Sequence, residues 1–308
     1  MVSRTFGKQI ILGFVAIGLI VVLGWCTSSS DSYNPTYSAT ANILDLTVVD
    51  GIISADKNYN DNGAVKAVLV PHHLVASKSI ALGIKALASS TPKKIIIISP
   101  DHFRLCPKLL CTTKGSYDTF FGNISISEKD VIKLAKASNL VAYSTLFKEE
   151  HGIYSIVPFI KHYIPESQIV PIVISQRSLG TEQNRSDILK ILKSILIQKN
   201  TALIISSDFS HYLPLSESNK MDRKTQNSFC SGNSQEILNL HNPNQSDCPL
   251  CLWILEQEAK ELGFWNPNII SHTNSAELLG DLSAEETTSH FTLTFSQSSL
   301  FTNCEIVQ

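Results

Sequence analysis

The sequence predicts a single α/β domain with a central, mostly parallel or mixed sheet flanked by helices. Short runs of aliphatic residues at 64–70, 94–99 and 201–205 are typical of strands that are buried on both faces. Segments with apolar residues at helical spacing separate these runs. Strands that alternate with helices along a chain pack as a sheet covered by helices. A chain of 308 residues, of which 43% are hydrophobic, can bury one large core of this kind.

The first half of the chain shows the element signals in order. Residues 64–70 form a β-rich run, and 77–89 carry apolar residues three or four positions apart, which predicts a helix. Four consecutive isoleucines in 94–99 predict a strand buried on both faces. Ser127 and the acidic residue three positions later resemble a capping box, so we expect a helix to begin there.

The second half continues the alternation. Residues 169–174 predict a strand, and Pro171 favours an edge position for it, because proline donates no ladder hydrogen bond. An amphipathic stripe at 188–196 predicts a helix. Apolar residues after Cys251 predict another helix, and the alternating pattern at 291–295 predicts a final strand.

The N-terminal residues differ from the rest of the chain. An apolar run at 10–25 follows Arg4 and Lys8, and it would be about 24 Å long as a helix. Positive charge before such a run keeps the N-terminus in the cytoplasm and sends the following residues across the membrane. We therefore predict a transmembrane helix acting as a signal-anchor, which would place the domain outside the cytoplasm at the cell membrane. The predicted organisation is an anchor or signal segment at 1–26, a linker at 27–41 and an α/β domain at 42–308.

Other outcomes for this segment stay open at the level of sequence. The segment could be cleaved to give a secreted form, the chain could be a lipoprotein attached through Cys26, or the run could be a buried helix. Trp25 stands where cleavage and lipidation both require a small residue, so the sequence favours an uncleaved anchor.

Composition and missing motifs exclude several classes of function. The net charge of -2 provides no basic surface for nucleic acid, so we expect no nucleic-acid partner. The sequence contains no P-loop, GxGxxG, GxSxG or HExxH motif, which removes the main support for nucleotide-binding and serine-hydrolase functions. A small-molecule or peptide ligand remains the expected partner besides the membrane.

A histidine follows each of three predicted strands, and an aspartate accompanies one of them. His72 follows the strand at 64–70, His102 follows the isoleucine strand, and Asp208 and His211 follow the strand at 201–205. In an open α/β sheet, ligands bind beyond the carboxyl ends of the strands. We therefore expect these four side chains to converge, with imidazoles suited to zinc, copper or iron. Asp208 could orient a ligand histidine or act as an acid or base.

Two further groups are candidates for the same pocket. Glu150 and His151 begin a segment with helical character and could face the crevice or form a solvated helix end. Cys248 and Cys251 form a CxxC motif, which could hold a metal, form a disulfide, or supply one thiolate to a histidine site.

Four short motifs in this order resemble the Memo family, also called AmmeMemoRadiSam system protein B. The family shows PHAG-like, GPSHH-like, EHSxE and SSDFxH elements. The counterparts here are Pro71-His72-His73-Leu74, Ser99-Pro100-Asp101-His102-Phe103, Glu150-His151-Gly152-Ile153-Tyr154 and Ser206-Ser207-Asp208-Phe209-Ser210-His211. The resemblance extends over about Val68 to Phe295, and the last motif is the most specific.

The resemblance implies a fold related to the LigB-like class III extradiol dioxygenases and a metal pocket made by two histidines and one cysteine. Carried to this chain, the metal ligands are His72, His102 and Cys248. Asp208, His211, Glu150 and His151 would be the catalytic residues that line the pocket. The expected cofactor is a divalent transition metal, iron or copper, with zinc as a further option.

The implied function is metal-dependent redox or dioxygenase-like chemistry. The alternative is a non-catalytic, extracytoplasmic module that binds a ligand or peptide in the same pocket. Departures from the motifs bear on this choice, because His73-Leu74 replaces Ala-Gly, Phe103 replaces a second histidine and Tyr154 replaces a glutamate.

Overall fold

The computed structural model describes residues 35–39, 45–57, 65–175, 181–297 and 304, all within the unit Asn34–Gln308. The strands are β1 (Thr36–Ser38), β2 (Val65–Val70), β3 (Lys94–Pro100), β4 (Leu110–Thr112), β5 (Ser116–Thr119), β6 (Gly122–Ile124), β7 (Val141–Tyr143), β8 (Gln168–Ile174), β9 (Thr201–Ser206), β10 (His211–Leu213), β11 (Pro267–Asn274) and β12 (Thr287–Ser296). The helices are α1 (Asp45–Asp56), α2 (Ser77–Ala88), α3 (Glu128–Ala137), α4 (His151–Tyr154), α5 (Val157–Tyr163), α6 (Glu182–Leu196), α7 (Leu215–Ser231), α8 (Ser234–Leu238), α9 (Pro249–Glu261) and α10 (Ser275–Leu279).

The main sheet has the strand order β10-β12-β2-β9-β3-β8-β4-β7, and β11 pairs with β12 outside this path. The four strands β2, β9, β3 and β8 are parallel, whereas β12 is antiparallel to β2 and β4 is antiparallel to β8. Helices α1, α2 and α5 contact one another, α6 contacts α3 and α9, and α9 packs on β3 and β9. The structure therefore confirms a single α/β domain with a mixed sheet flanked by helices.

The core lies where the sequence places its longest aliphatic runs. Ile95, Ile96, Ile97 and Ile98 of β3 are all fully buried. The strand pairs with β8 on one side and β9 on the other, so both of its edges and both of its faces are covered. Burial of a side chain of this size contributes about 1.5–3 kcal/mol relative to exposure. These strands form a rigid base for the residues at their carboxyl ends.

The position of Pro171 differs from the prediction. Its strand, β8, lies between β3 and β4 and is not at an edge. The pairing of β8 with β4 ends at the Ile172–Thr112 pair, and the Thr112 hydroxyl donates to the Pro171 carbonyl at 2.8 Å. An interior strand can contain this proline because the hydrogen-bonded pairing of β8 with β4 does not extend to Pro171.

The structure overturns the membrane prediction. Within the described ranges, no helix has both the length and the apolar character needed to cross a membrane. The predicted signal-anchor, the membrane partner and the extracytoplasmic location derived from it are therefore withdrawn. The apolar run at 10–25 itself lies outside the described residues. In the segment predicted as a linker, β1 pairs in parallel with β5.

Candidate metal centre

The carboxyl ends of three neighbouring parallel strands bring the candidate site together. The order β2-β9-β3 places the ends of these strands side by side. His72 follows β2, Asp208 follows β9, and His102 follows β3. Because parallel strands end at the same edge of a sheet, three side chains far apart in sequence meet in one crevice.

His72 is the central residue of the site, and it is buried. Its Nε2 atom lies 3.3 Å from Asp208 Oδ2 and 3.2 Å from Asp247 Oδ2. Its Nδ1 atom lies 3.0 Å from the Ser206 hydroxyl, and its backbone N–H donates to Asp208 Oδ1 at 3.1 Å. These contacts fix the ring, so its Nε2 atom faces two carboxylates.

His102 approaches the same carboxylate from β3. The two imidazole rings of His72 and His102 lie 4.7 Å apart, and His102 Nε2 is 3.5 Å from Asp247 Oδ2. On the opposite side of the ring, His102 Nδ1 lies 2.5 Å from Oε1 of the buried Glu150. Glu150 also accepts the His102 backbone N–H at 3.2 Å. The carboxylate thereby orients His102 with Nε2 toward Asp247.

His151 completes a second group of histidines around His72. Its ring centroid lies 3.9 Å from that of His102 and 5.1 Å from that of His72. The side chains of His72, His102 and His151 each offer one nitrogen within 4.8 Å of the others, and His72, Asp208 and Asp247 form a similar group. The two groups share His72, and Asp247 Oδ2 of the second group lies 3.5 Å from His102 Nε2 of the first.

The short helix α4 that begins at His151 is held against β3 by a close backbone approach. Glu150 caps this helix by accepting the Gly152 N–H at 3.0 Å. A Cβ atom on Gly152 would lie 1.9 Å from Ser99 Oγ, so only glycine fits against the serine at this point. The tight contact sets the positions of Glu150 and His151 relative to His102.

His211 lies beside this group and outside the two candidate ligand sets. It begins β10, and its Nδ1 atom faces the Phe209 carbonyl. Burial raises the pKa of Asp208, and His72, His290 and, to a smaller extent, His211 together lower it below its usual range. The neighbouring His73 contacts His290, with 3.1 Å between Nδ1 and Nε2. The expected convergence of His72, His102 and Asp208 is thus present, and His211 lies at its margin.

The structure places Cys248 in a disulfide with Cys251. A disulfide sulfur is not a thiolate, so in this state Cys248 cannot act as the metal ligand that the resemblance implies. Of the alternatives left open by the CxxC motif, the structure shows the bridge. The residue that faces His72 and His102 is the preceding one, Asp247.

Asp247 is a candidate site residue that sequence reasoning missed. Its Oδ1 atom accepts the Ser207 hydroxyl at 2.6 Å, and its Oδ2 atom accepts the Asp208 N–H at 3.2 Å. It lies in the irregular segment before α9, where no strand end marks it as a site residue. Its one available signal was its position next to the cysteine motif.

The contacts between histidines and carboxylates shift the pKa values of both kinds of residue. Burial lowers the pKa of His102, but the hydrogen bonds to Asp247 and Glu150 outweigh it and raise the pKa to about 10. Burial also lowers the pKa of His72, and Asp208 and Asp247 reverse the effect and raise it. Burial raises the pKa of Asp247, yet His102 and His72 hold it well below its usual range. Burial and the charges of His72 and His102 lower the pKa of His151 to about 3.

The donor set fits a divalent transition metal. Metal bonds of about 2.0–2.1 Å place two ligand atoms of one ion roughly 3.0–3.4 Å apart. The contact of Asp247 Oδ2 with His72 Nε2, at 3.2 Å, falls in this range, and its contact with His102 Nε2, at 3.5 Å, is 0.1 Å longer. Two histidines and one carboxylate are also the donor types of non-haem iron sites. Fold and site together define an α/β protein with a metal-ready pocket of histidines and carboxylates at the carboxyl edge of its sheet.

The chain belongs to the Memo family. The family model described as Memo-like protein matches residues 36–287 of this chain. The chain is 26% identical over 225 residues to a MEMO1 family protein of Aquifex aeolicus, which covers 71% of this chain and 82% of the relative. It is 21% identical over 230 residues to a MEMO1 family protein of Nitrosopumilus maritimus, covering 73% of this chain and 82% of the relative. The predicted family is thereby confirmed.

Proposed function

We propose that this protein binds a divalent transition metal through His72, His102 and Asp247 and uses it for redox or dioxygenase-like chemistry. The observation that supports the proposal most is the convergence of two imidazole Nε2 atoms on one carboxylate oxygen. All three side chains are held by further hydrogen bonds, so the site is ordered before any ion enters. Preorganisation of this kind is typical of functional metal centres.

The surrounding residues have distinct roles in this proposal. A bound metal would supply Lewis acidity and, for iron or copper, a change of oxidation state. Glu150 accepts a hydrogen bond from His102 Nδ1–H, which orients the ring so that Nε2 can serve as the metal ligand. Asp208 holds the backbone of His72 and offers a second carboxylate oxygen. His151, with its pKa lowered to about 3, remains neutral and can accept a hydrogen bond from a ligand.

Metal content provides the direct test. Protein purified without added metal and then loaded with Fe²⁺, Cu²⁺ or Zn²⁺ in turn should retain about one ion per chain after desalting, as one mononuclear centre requires. His102→Ala should lose most of this metal. His162→Ala is the matched control, because His162 is exposed on α5 and packs on Phe121, and its metal content should equal that of the wild type. Equal occupancy in His102→Ala and the wild type would refute the proposed centre.

A second candidate function is ligand binding without turnover. It is favoured by exposed apolar side chains close to His102 and His211 in the sequence. Phe103, Leu105 and Tyr212 are exposed by 49%, 57% and 65%, and the Phe103 ring lies 5.9 Å from that of His151. An apolar margin suits a ligand with an apolar part. Metal-loaded protein that binds such a ligand, yet neither consumes it nor consumes oxygen, would support this candidate over catalysis.

A further inference from the structure

A cavity of about 210 Å³ lies at the amino ends of the central parallel strands. Lys66, at the second position of β2, and Thr201, at the first position of β9, line it. The same two strands lead to His72 and Asp208 at their other ends, and six residues of a strand span roughly 20 Å. The cavity is therefore separate from the proposed metal centre.

One part of the cavity wall is apolar. It is formed by Leu203 of β9 and by Leu262 and Phe264, which follow α9. Ile197, in the loop between α6 and β9, lines the same cavity and is 58% exposed. Removing such apolar surface from water is favourable, so a ligand that covers it gains binding free energy. This part of the wall is suited to a hydrocarbon group.

The other part of the wall is positively charged. Lys66 and Lys199 line the cavity, and within the part of the chain that the structure describes neither makes an ion pair or a side-chain hydrogen bond. The nearby Lys94, in contrast, is paired with Asp130 at 2.5 Å. Among the described residues, no aspartate or glutamate lines the cavity. Thr201 adds a hydroxyl that is buried without a partner among these residues. The cavity thus offers positive charge that no acidic side chain neutralises.

The loop that carries Lys199 is held in place before any ligand binds. Asn200 has a left-handed backbone conformation, with φ at 55°. Its carbonyl oxygen accepts the backbone N–H groups of Lys93 and Lys94, at 2.9 and 3.1 Å. The Gln198 side chain accepts a hydrogen bond from Lys94 Nζ at 2.6 Å. A preordered loop of this kind binds a ligand with a small loss of conformational entropy.

We propose that this cavity binds a small organic anion that has a carboxylate on a short apolar body. The carboxylate pairs with Lys66 and Lys199, and the apolar body covers Ile197, Leu262 and Phe264. The volume is below the range of ~300–1,000 Å³ that is typical of sites for drug-sized ligands, so the ligand is small. This site and the proposed metal centre do not depend on each other.

Octanoate is a suitable probe, with octan-1-ol and octylammonium as molecules of the same chain length and different charge. Isothermal titration of the full chain as purified should show octanoate binding, and the alcohol and the amine should bind about tenfold more weakly or worse, because they lack the negative charge. The double variant Lys66→Gln, Lys199→Gln loses two ion pairs, so its affinity for octanoate should fall about tenfold. Lys136→Gln, which removes an exposed lysine on α3, is the matched control and should bind octanoate as the wild type does.

Two further variants separate the charge from the apolar wall. The double variant Lys66→Arg, Lys199→Arg keeps both charges and should retain octanoate binding. Ile197→Ser removes apolar surface without changing the charge, so octanoate should bind several-fold more weakly while its advantage over octan-1-ol persists. Ile197 is exposed, so this variant should fold as the wild type does.

Equal octanoate affinity in the wild type and the double glutamine variant would refute the anion site, as would octan-1-ol binding as tightly as octanoate or no octanoate binding to the wild type. A carboxylate can also coordinate a metal, so His102→Ala is titrated in parallel. Unchanged octanoate affinity in His102→Ala supports the separate site, whereas its loss would assign the carboxylate to the metal centre instead. Lys199→Gln alone provides the comparison if the double glutamine variant fails to fold, because Lys199 is exposed.

Discussion

Two buried acidic residues, eleven positions apart, have pKa values shifted in opposite directions. Asp247, just before α9, contacts two histidines and accepts hydrogen bonds from Ser207 and Asp208, and its pKa lies well below the usual range. Glu258, inside α9, has both carboxyl oxygens buried with no hydrogen-bond partner among the described residues. Burial, followed by the charge of Glu261, raises its pKa to about 7.

The difference shows what makes a buried carboxylate useful as a ligand. Removing a charge from water is costly, and only partners for the charged form offset the cost. Asp247 has such partners in His72 and His102, so its carboxyl group stays ionised and is available to a metal ion. Glu258 has none and takes up a proton near neutral pH. A carboxyl group before α9, that of Asp247, is therefore suited to binding, whereas the carboxyl group of Glu258 inside α9 lowers the stability of the fold when it is ionised.

The largest expected effect comes from removing the charge of Asp247. Asp247→Asn keeps the shape and one acceptor oxygen but loses the anionic donor, so metal affinity should fall by about 100-fold or more. Competitive titration with a chromophoric chelator measures the change. Asp281→Asn, an exposed aspartate after α10, should leave affinity unchanged. An unchanged dissociation constant for Asp247→Asn would show that its histidine contacts are only structural.

A smaller loss is expected from Glu150, which acts through His102. Glu150→Gln can still accept the Gly152 N–H, but the interaction with the His102 ring loses its charge. Loss of such an orienting carboxylate reduces metal affinity by about 10-fold to 100-fold. Isothermal titration with Zn²⁺ would measure it. Retention of full affinity would mean that backbone packing alone orients His102.

The pH dependence of metal binding should show the competition between protons and metal. The pKa of His102 is raised to about 10, so its ring carries a proton near neutrality when no ion is bound, and the pKa of His72 is also raised, so that ring holds its proton to higher pH than a free imidazole does. An ion must displace these protons, and affinity should rise by about tenfold per pH unit for each proton released between pH 6 and 8. Titration in two buffers of different ionisation enthalpy counts the protons. Binding without proton release would contradict the raised pKa values.

The substitution with the smallest expected effect is Glu258→Gln, which changes the free energy of unfolding. Because the pKa of Glu258 rises from 4.5 to about 7 on folding, the native state binds more protons than the unfolded state in that window, and stability falls as pH rises through it. The full loss is about 3 kcal/mol above pH 7. Glu258→Gln should remove this dependence and stabilise the protein at pH 8 by about 1 kcal/mol, less than the full loss because the amide also lacks partners.

Urea unfolding at pH 5 and pH 8 measures this difference. Glu285→Gln, which removes an exposed acid, is the control and should follow the wild type at both pH values. A wild type whose stability does not change between pH 5 and pH 8 would indicate that Glu258 has found a partner, and would remove the contrast with Asp247.

Much of the fold could be predicted from the sequence, because its strongest signals are local. The consecutive isoleucines of β3, the stripe of α6 and the apolar run of β9 depend on burial and periodicity that neighbouring residues specify. The interior position of β8 could not be predicted, since it depends on where its partner β4 stops. The membrane anchor, inferred from an apolar run preceded by Arg4 and Lys8, was wrong, because no helix among the described residues could cross a membrane.

The same distinction applies to the site. His72, His102 and Asp208 were predictable because each follows a buried parallel strand, and strand ends converge by geometry. Asp247 follows no strand and reaches the site from an irregular segment, so no periodic pattern marks it. The state of Cys248 depends on a partner sulfur three residues away. The composition favoured a disulfide, whereas the family resemblance favoured a metal ligand, and the structure shows the disulfide. The assigned roles of these residues remain predictions.

The close approach of Gly152 to Ser99 has a consequence for which substitutions this chain tolerates. Only one of the two positions has room for a side chain, because a Cβ atom on Gly152 would lie 1.9 Å from Ser99 Oγ. A side chain at position 152 would therefore displace Ser99 or the start of α4, which carries His151, unless position 99 became glycine at the same time.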